Sequence, residues 1–108
     1  MKKTVLTVLA FALSVLTVSA QWAPAGDRIR TDWAEQINPS NVLPEYPRPL
    51  MERADWMNLN GLWEYAVAAV DAGKPARPDG QILVPFAIES SLSGVGRMLS
   101  DQENLWYM

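Results

Sequence analysis

The chain has 108 residues, enough for one small domain, and carries a formal net charge of −3 with 19% charged residues. It contains neither His nor Cys, which excludes the usual zinc ligands, a Ser-His-Asp or Cys-His nucleophilic site, and any disulfide. The acidic balance argues against nucleic acid and anionic membrane as partners, because both need basic patches.

Lys2 and Lys3 precede an apolar stretch from Val5 to Val18, interrupted only mildly by Thr7, Ser14 and Thr17. Val18-Ser19-Ala20 then places small or modest residues where signal peptidase reads. Residues 1–20 therefore read as a signal peptide cleaved before Gln21, giving a periplasmic or secreted chain with no membrane association after cleavage. A spanning helix needs roughly 20 apolar residues, and this run is shorter. Without Lys2 and Lys3, seven basic residues face twelve acidic ones, a net charge of −5.

Residues 21–49 read as an extended, proline-rich leader. Pro24, Pro39, Pro44, Pro47 and Pro49 lie there, and each removes a backbone donor and fixes φ, which disfavours a regular helix or a central strand. Pro47-Arg48-Pro49 favours extended or polyproline geometry. The leader is expected to pack over the surface of the domain C-terminal to it rather than to serve as a peptide-recognition motif. Residues 50–108 form the third segment, shorter than the roughly 70–80 residues below which a core rarely supplies more than a few kcal/mol.

Residues 55–70 fit two periods. Trp56, Leu59, Trp63, Ala66, Val67 and Val70 match helical spacing, while Leu59, Gly61, Trp63, Tyr65 and Val67 match the alternation of a strand. Asn60-Gly61 tips the balance, since both residues tolerate left-handed backbone and disfavour a helix interior. Aromatic and β-branched residues beyond Gly61 suit a strand. The reading is a strand over Gly61–Ala69, with Trp63, Tyr65 and Val67 inward and Glu64 toward solvent or an edge.

Asp71 to Gln81 reads as a loop punctuated by Gly73, Pro75, Pro78, Asp79 and Gly80. Ile82-Leu83-Val84 is a short apolar strand stopped by Pro85. Residues 86–100 are rich in Ser and Gly and read as a loop with one helical turn at Ile88–Leu92. Leu105-Trp106-Tyr107 has strand composition.

Few residues invite a chemical role. Ser93-Gly94 lacks the Gly-x-Ser-x-Gly frame of a nucleophile elbow. Glu64 and Glu89 have no partner carboxylate at a readable spacing, so loop capping and turn hydrogen bonds account for Glu89 and its neighbouring serines. Sugar stacking by Trp56 or Trp63 is the sharper alternative to core packing, which alternating aromatics in a strand usually serve. No catalytic residue, metal ligand or cofactor site is assigned, and the substrate-binding residues are not read from the sequence.

Three blocks taken in order carry a resemblance: Trp56-Met57-Asn58-Leu59-Asn60-Gly61-Leu62-Trp63-Glu64-Tyr65, Ile82-Leu83-Val84-Pro85 with Glu89-Ser90-Ser91-Leu92-Ser93-Gly94, and Leu105-Trp106-Tyr107. Together they resemble the start of the sugar-binding domain of glycoside hydrolase family 2, over residues 45–107. The resemblance implies an all-β, galactose-binding-like jelly-roll sandwich, incomplete here, preceded by the signal peptide and leader. It implies a parent that hydrolyses terminal β-linked sugars of an oligosaccharide or polysaccharide, β-galactosidase-like. Its two catalytic glutamates would lie on a (β/α)₈ barrel outside these residues, so this piece is expected to be inactive. The alternatives are a non-catalytic carbohydrate-binding β-sandwich and a small secreted interaction protein.

Overall fold

The computed structural model describes residues 21–27 and 29–108, so the signal-peptide expectation lies outside the described residues. Among them the fold is all-β with almost no helix. In chain order come a one-turn helix at Asp32–Glu35, a 3-10 turn at Pro49–Met51, strand β1 at Gly61–Ala69, β2 at Gly80–Val84, a 3-10 turn at Ser91–Ser93, and β3 at Glu103–Tyr107. The strands form one antiparallel sheet in the order β2-β1-β3, with β1 central.

The leader is not extended throughout, which corrects the proline argument. The stretch between Pro24 and Pro39 keeps its backbone donors. There Ala34 N–H donates to the Thr31 carbonyl at 2.9 Å and Gln36 N–H to the Trp33 carbonyl at 3.2 Å. Asp32 in the first turn suits the positive end of the small helix dipole.

Helical spacing at 55–70 loses to alternation because side chains pin a turn just before β1. Asn58 Oδ1 accepts from Asn60 N–H at 2.8 Å, an Asx-type turn. The Trp63 indole N–H donates to the Leu59 carbonyl at 2.9 Å. Gly61 then enters the strand at φ 141°, where a side chain would be strained.

The sheet is staggered about Tyr65, which pairs with Gly80 of β2 and with Tyr107 of β3. β2 covers the first half of β1 and β3 the second. Asp79 extends the β2 pairing by one step. Its N–H donates to the Tyr65 carbonyl, and its Oδ2 accepts from Val67 N–H, both at 2.8 Å. A side-chain oxygen thus stands where a strand carbonyl would be. Met108 N–H donates to the Glu64 carbonyl at 2.9 Å and lengthens the β3 side in the same way.

Alternation and register sort the side chains. Trp63, Tyr65, Val67, Ile82, Val84, Leu105 and Tyr107 share one face; Leu62, Glu64, Ala66, Ala68, Gln81, Leu83, Asn104 and Trp106 share the other. Ile82 and Leu83 point to opposite faces and are both 0% exposed, so β2 is covered on both sides. Val42 of the leader, and Ile88 and Ser93 of the loop after β2, complete the buried set with Ala66.

The expected inward face is only partly covered. Trp63, Tyr65 and Val67 are half-buried, Tyr107 is exposed, and the buried residue of β1 is Ala66 on the opposite face. Alternation determines which residues share a face; the leader and the loop after β2 determine what is covered, and they gather around β2.

Candidate functional site

The loop after β2 is built around Ser93. Its buried hydroxyl donates toward the carbonyls of Ser90 at 2.7 Å and Ile88 at 3.1 Å, and it accepts from Val95 N–H at 3.0 Å. Ser90 caps the Ser91–Ser93 turn by accepting from Leu92 N–H. Ser91 Oγ donates to the Ala25 carbonyl at 2.6 Å, and Ala25 N–H donates to the Ser91 carbonyl at 2.8 Å, tying the leader to this loop. The serines hold a loop and a strap in place, and Ser93 is enclosed rather than presented to a ligand. The helical turn expected at Ile88–Leu92 is a 3-10 turn at Ser91–Ser93, overlapping that span but starting three residues later, because the side chain of Ser90 caps there.

Glu64 and Glu89 are not brought into one site. Glu64 is exposed on β1, and Glu89 is exposed in the turn between Ile88 and Ser90. The carboxylate with a displaced pKa is Glu103. The Ser100 backbone N–H holds it below the usual range, and Arg97 and the Ser100 hydroxyl act in the same direction. It also forms an ion pair with Arg97 at the surface. This cluster organises the turn into β3. Among the described residues no group of three or more Asp or Glu side chains is placed to hold a metal ion.

The two tryptophans weighed for stacking separate. Trp63 is half-buried, with its indole N–H committed to Leu59. Trp56 is 43% exposed and meets the ring of Tyr46 edge-to-face, with centroids 5.2 Å apart and planes at 66°. The Tyr46 hydroxyl donates to the Met51 carbonyl at 3.3 Å, which fixes that ring. A hollow of about 610 Å³ opens beside the pair, lined also by Leu43, Glu45, Met57 and Pro85. A second, of about 360 Å³, shares Tyr46, Pro47 and Trp56 with it and is lined also by Arg48, Arg53 and Asp55.

The larger hollow depends on an amide clamp. Asn58 Nδ2 donates to the Leu43 carbonyl at 3.1 Å and Asn60 Nδ2 to the Val42 carbonyl at 3.2 Å. Leu43 is held in the left-handed region at φ 42°, a conformation that costs a non-glycine residue about 1–3 kcal/mol and persists only when its surroundings impose it. The asparagines of the Asn-Leu-Asn-Gly block are therefore ties between the leader and β1. Tyr46 and the clamp escape sequence reasoning because their partners lie 5 to 18 residues away; an aromatic between Pro44 and Pro47 was the one visible signal.

Neither a known protein family nor a curated protein matches the chain.

Proposed function

We propose that this chain forms the opening strands of the non-catalytic, jelly-roll sugar-binding domain of a secreted family 2 glycoside hydrolase. The parent would remove terminal β-linked sugars from an oligosaccharide or polysaccharide, in the β-galactosidase-like manner. The observation that carries the reading is a coincidence of motif and strand. Each of the three blocks that resemble the family contributes to one strand, Gly61–Tyr65 to β1, Ile82–Val84 to β2 and Leu105–Tyr107 to β3, and the sheet leaves an apolar face of Trp63, Tyr65, Val67, Leu105 and Tyr107 partly uncovered. Such a face is what a sandwich buries under its second sheet. Retaining hydrolysis needs two carboxyl groups about 5–5.5 Å apart, and that pair is assigned to the parent's barrel, not to Glu64 or Glu89.

Reading the encoding DNA beyond the Met108 codon tests this. A frame that continues into further strands and a (β/α)₈ barrel supports it. A stop followed by unrelated sequence sinks it and favours a stand-alone carbohydrate-binding module, which the exposed Trp56 beside half-buried Tyr46 would suit. Export belongs to the same proposal: mass spectrometry of the mature protein should find Gln21 at the N-terminus, and an exported chain retaining Met1 would refute cleavage.

A further inference from the structure

We propose that the ridge formed by Tyr46 and Trp56 is a binding platform for a neutral oligosaccharide of at least two sugar units, an inference that rests on the proposed role in carbohydrate recognition. Tyr46, Pro47 and Trp56 line both hollows, so the ridge is their shared wall. An edge-to-face pair leaves a broad ring face unstacked, and its negative quadrupole attracts the C–H face of a sugar ring. Two hollows on one ridge suit consecutive units of a chain better than a single ring.

Charge selects the class of ligand. The larger hollow carries Glu45, and the smaller carries Arg48, Arg53 and Asp55. The two carboxylates and two guanidinium groups balance, and none has an ion-pair partner among the described residues. Acceptors and donors are thus open in both hollows that share the apolar wall, which is the arrangement that recognises hydroxyl groups around a hydrophobic ring face. An acidic sugar would meet Glu45 in the larger hollow without a compensating cation there. The left-handed Leu43 adds an independent sign, since the amide clamp that imposes it also shapes the larger hollow.

The test titrates the protein, as its reading frame produces it, with cellotetraose, xylotetraose, mannotetraose, their monosaccharides, and a glucuronic-acid tetrasaccharide, followed by calorimetry and saturation-transfer NMR. At least one neutral tetrasaccharide should bind more tightly than its monosaccharide and than the acidic chain. Trp56→Ala should weaken that binding about ten-fold, the scale of one lost aromatic contact. Trp56→Phe should weaken it less, and Trp33→Ala, at an exposed tryptophan outside both hollows, should leave it unchanged. Circular dichroism checks each variant. If Trp56→Ala unfolds, the exposed pair Arg48→Ala and Arg53→Ala reads the platform without touching the ring. Absence of binding to every neutral tetrasaccharide, a preference for the acidic one, or binding indifferent to Trp56→Phe and to the arginine pair would overturn the proposal. Capture of an apolar probe alone at Trp56 would also overturn it, and would assign the ridge to protein docking. A reading frame without a barrel would sink the parent-enzyme proposal and leave this one standing; sugar binding indifferent to Trp56 in a barrel-containing product would do the reverse.

Discussion

At the level of single residues, Gly94 is the tightest constraint between leader and loop. It closes the Ser91–Ser93 turn at φ 83°, and a Cβ there would lie 2.7 Å from Trp22 Nε1. Gly94→Ala should destabilise by about 1–3 kcal/mol from backbone strain alone, with a further cost from displacing Trp22. Denaturant titration followed by tryptophan fluorescence checks this, and an unchanged midpoint with unchanged emission would contradict it. Asn60 makes a second prediction. Asn60→Ala removes a donor to the Val42 carbonyl, which Asn58 also approaches at 3.4 Å, so the single change should cost about 1 kcal/mol. Removing both amides strands the Val42 and Leu43 carbonyls together, so the double variant should lose more than the sum of the singles. Strict additivity in a double-mutant cycle would show that the clamp is not one unit.

At the level of elements, β3 depends on the turn that precedes it. Glu103 accepts from Ser100 N–H at 3.0 Å and pairs with Arg97 across that turn. Its folded-state pKa is lowered from the usual 4.5, first by the Ser100 backbone bond. A depressed carboxylate contributes stability that is present above its unfolded pKa and lost as pH falls through the folded one. Protection of the Ser100 amide against exchange should therefore hold above about pH 4.5 and decline below it. Glu103→Gln should abolish that pH dependence. The exposed ion pair should add little, and less in high salt.

The strands also show which boundaries a sequence carries. β1 was legible to its last residue, because Asn60-Gly61 marks its start and aromatic and β-branched side chains alternate at Trp63, Tyr65 and Val67. β2 and β3 each start two residues before the apolar runs that announced them, at Gly80 and Glu103. Gly80, Gln81, Glu103 and Asn104 carry no hydrophobic signal; pairing with Tyr65, Glu64, Ala69 and Ala68 makes them strand. The helical turn at Asp32–Glu35 was hidden behind a proline count that holds for the leader as a whole but not between Pro24 and Pro39.

For the whole molecule, the decisive feature is a sheet covered on both faces around β2 and left partly bare toward β3. β3 has a single neighbour in the sheet among the described residues, and Tyr107 at its end is 46% exposed on the apolar face. An open edge beside an apolar face recruits other chains. The 108-residue chain taken by itself should self-associate at micromolar concentration. Tyr107→Lys should shift sedimentation toward monomer; a wild-type chain already monodisperse as monomer would show that the face is satisfied. Assays with aryl β-glycosides belong to the same scale. No turnover is expected from this chain, and activity that survives repurification and disappears with Glu64→Gln or Glu89→Gln would relocate the chemistry to this sheet.

Sequence by itself determined where the three strands lie and which side chains share a face, because these follow from the two-residue period and from short-range turn chemistry at Asn60-Gly61, while the all-β class came from the family resemblance. It also set the exclusions that depend only on residue type, such as the absence of His and Cys. Tertiary structure decided the rest: that Ala66 rather than Trp63 is buried, that the asparagines clamp the leader, that Ser93 is enclosed, and that Trp56 stands exposed against Tyr46. Each of those depends on contacts between segments distant in sequence. Burial is a property of what lies over a side chain, and no local pattern encodes which distant segment will come to lie there.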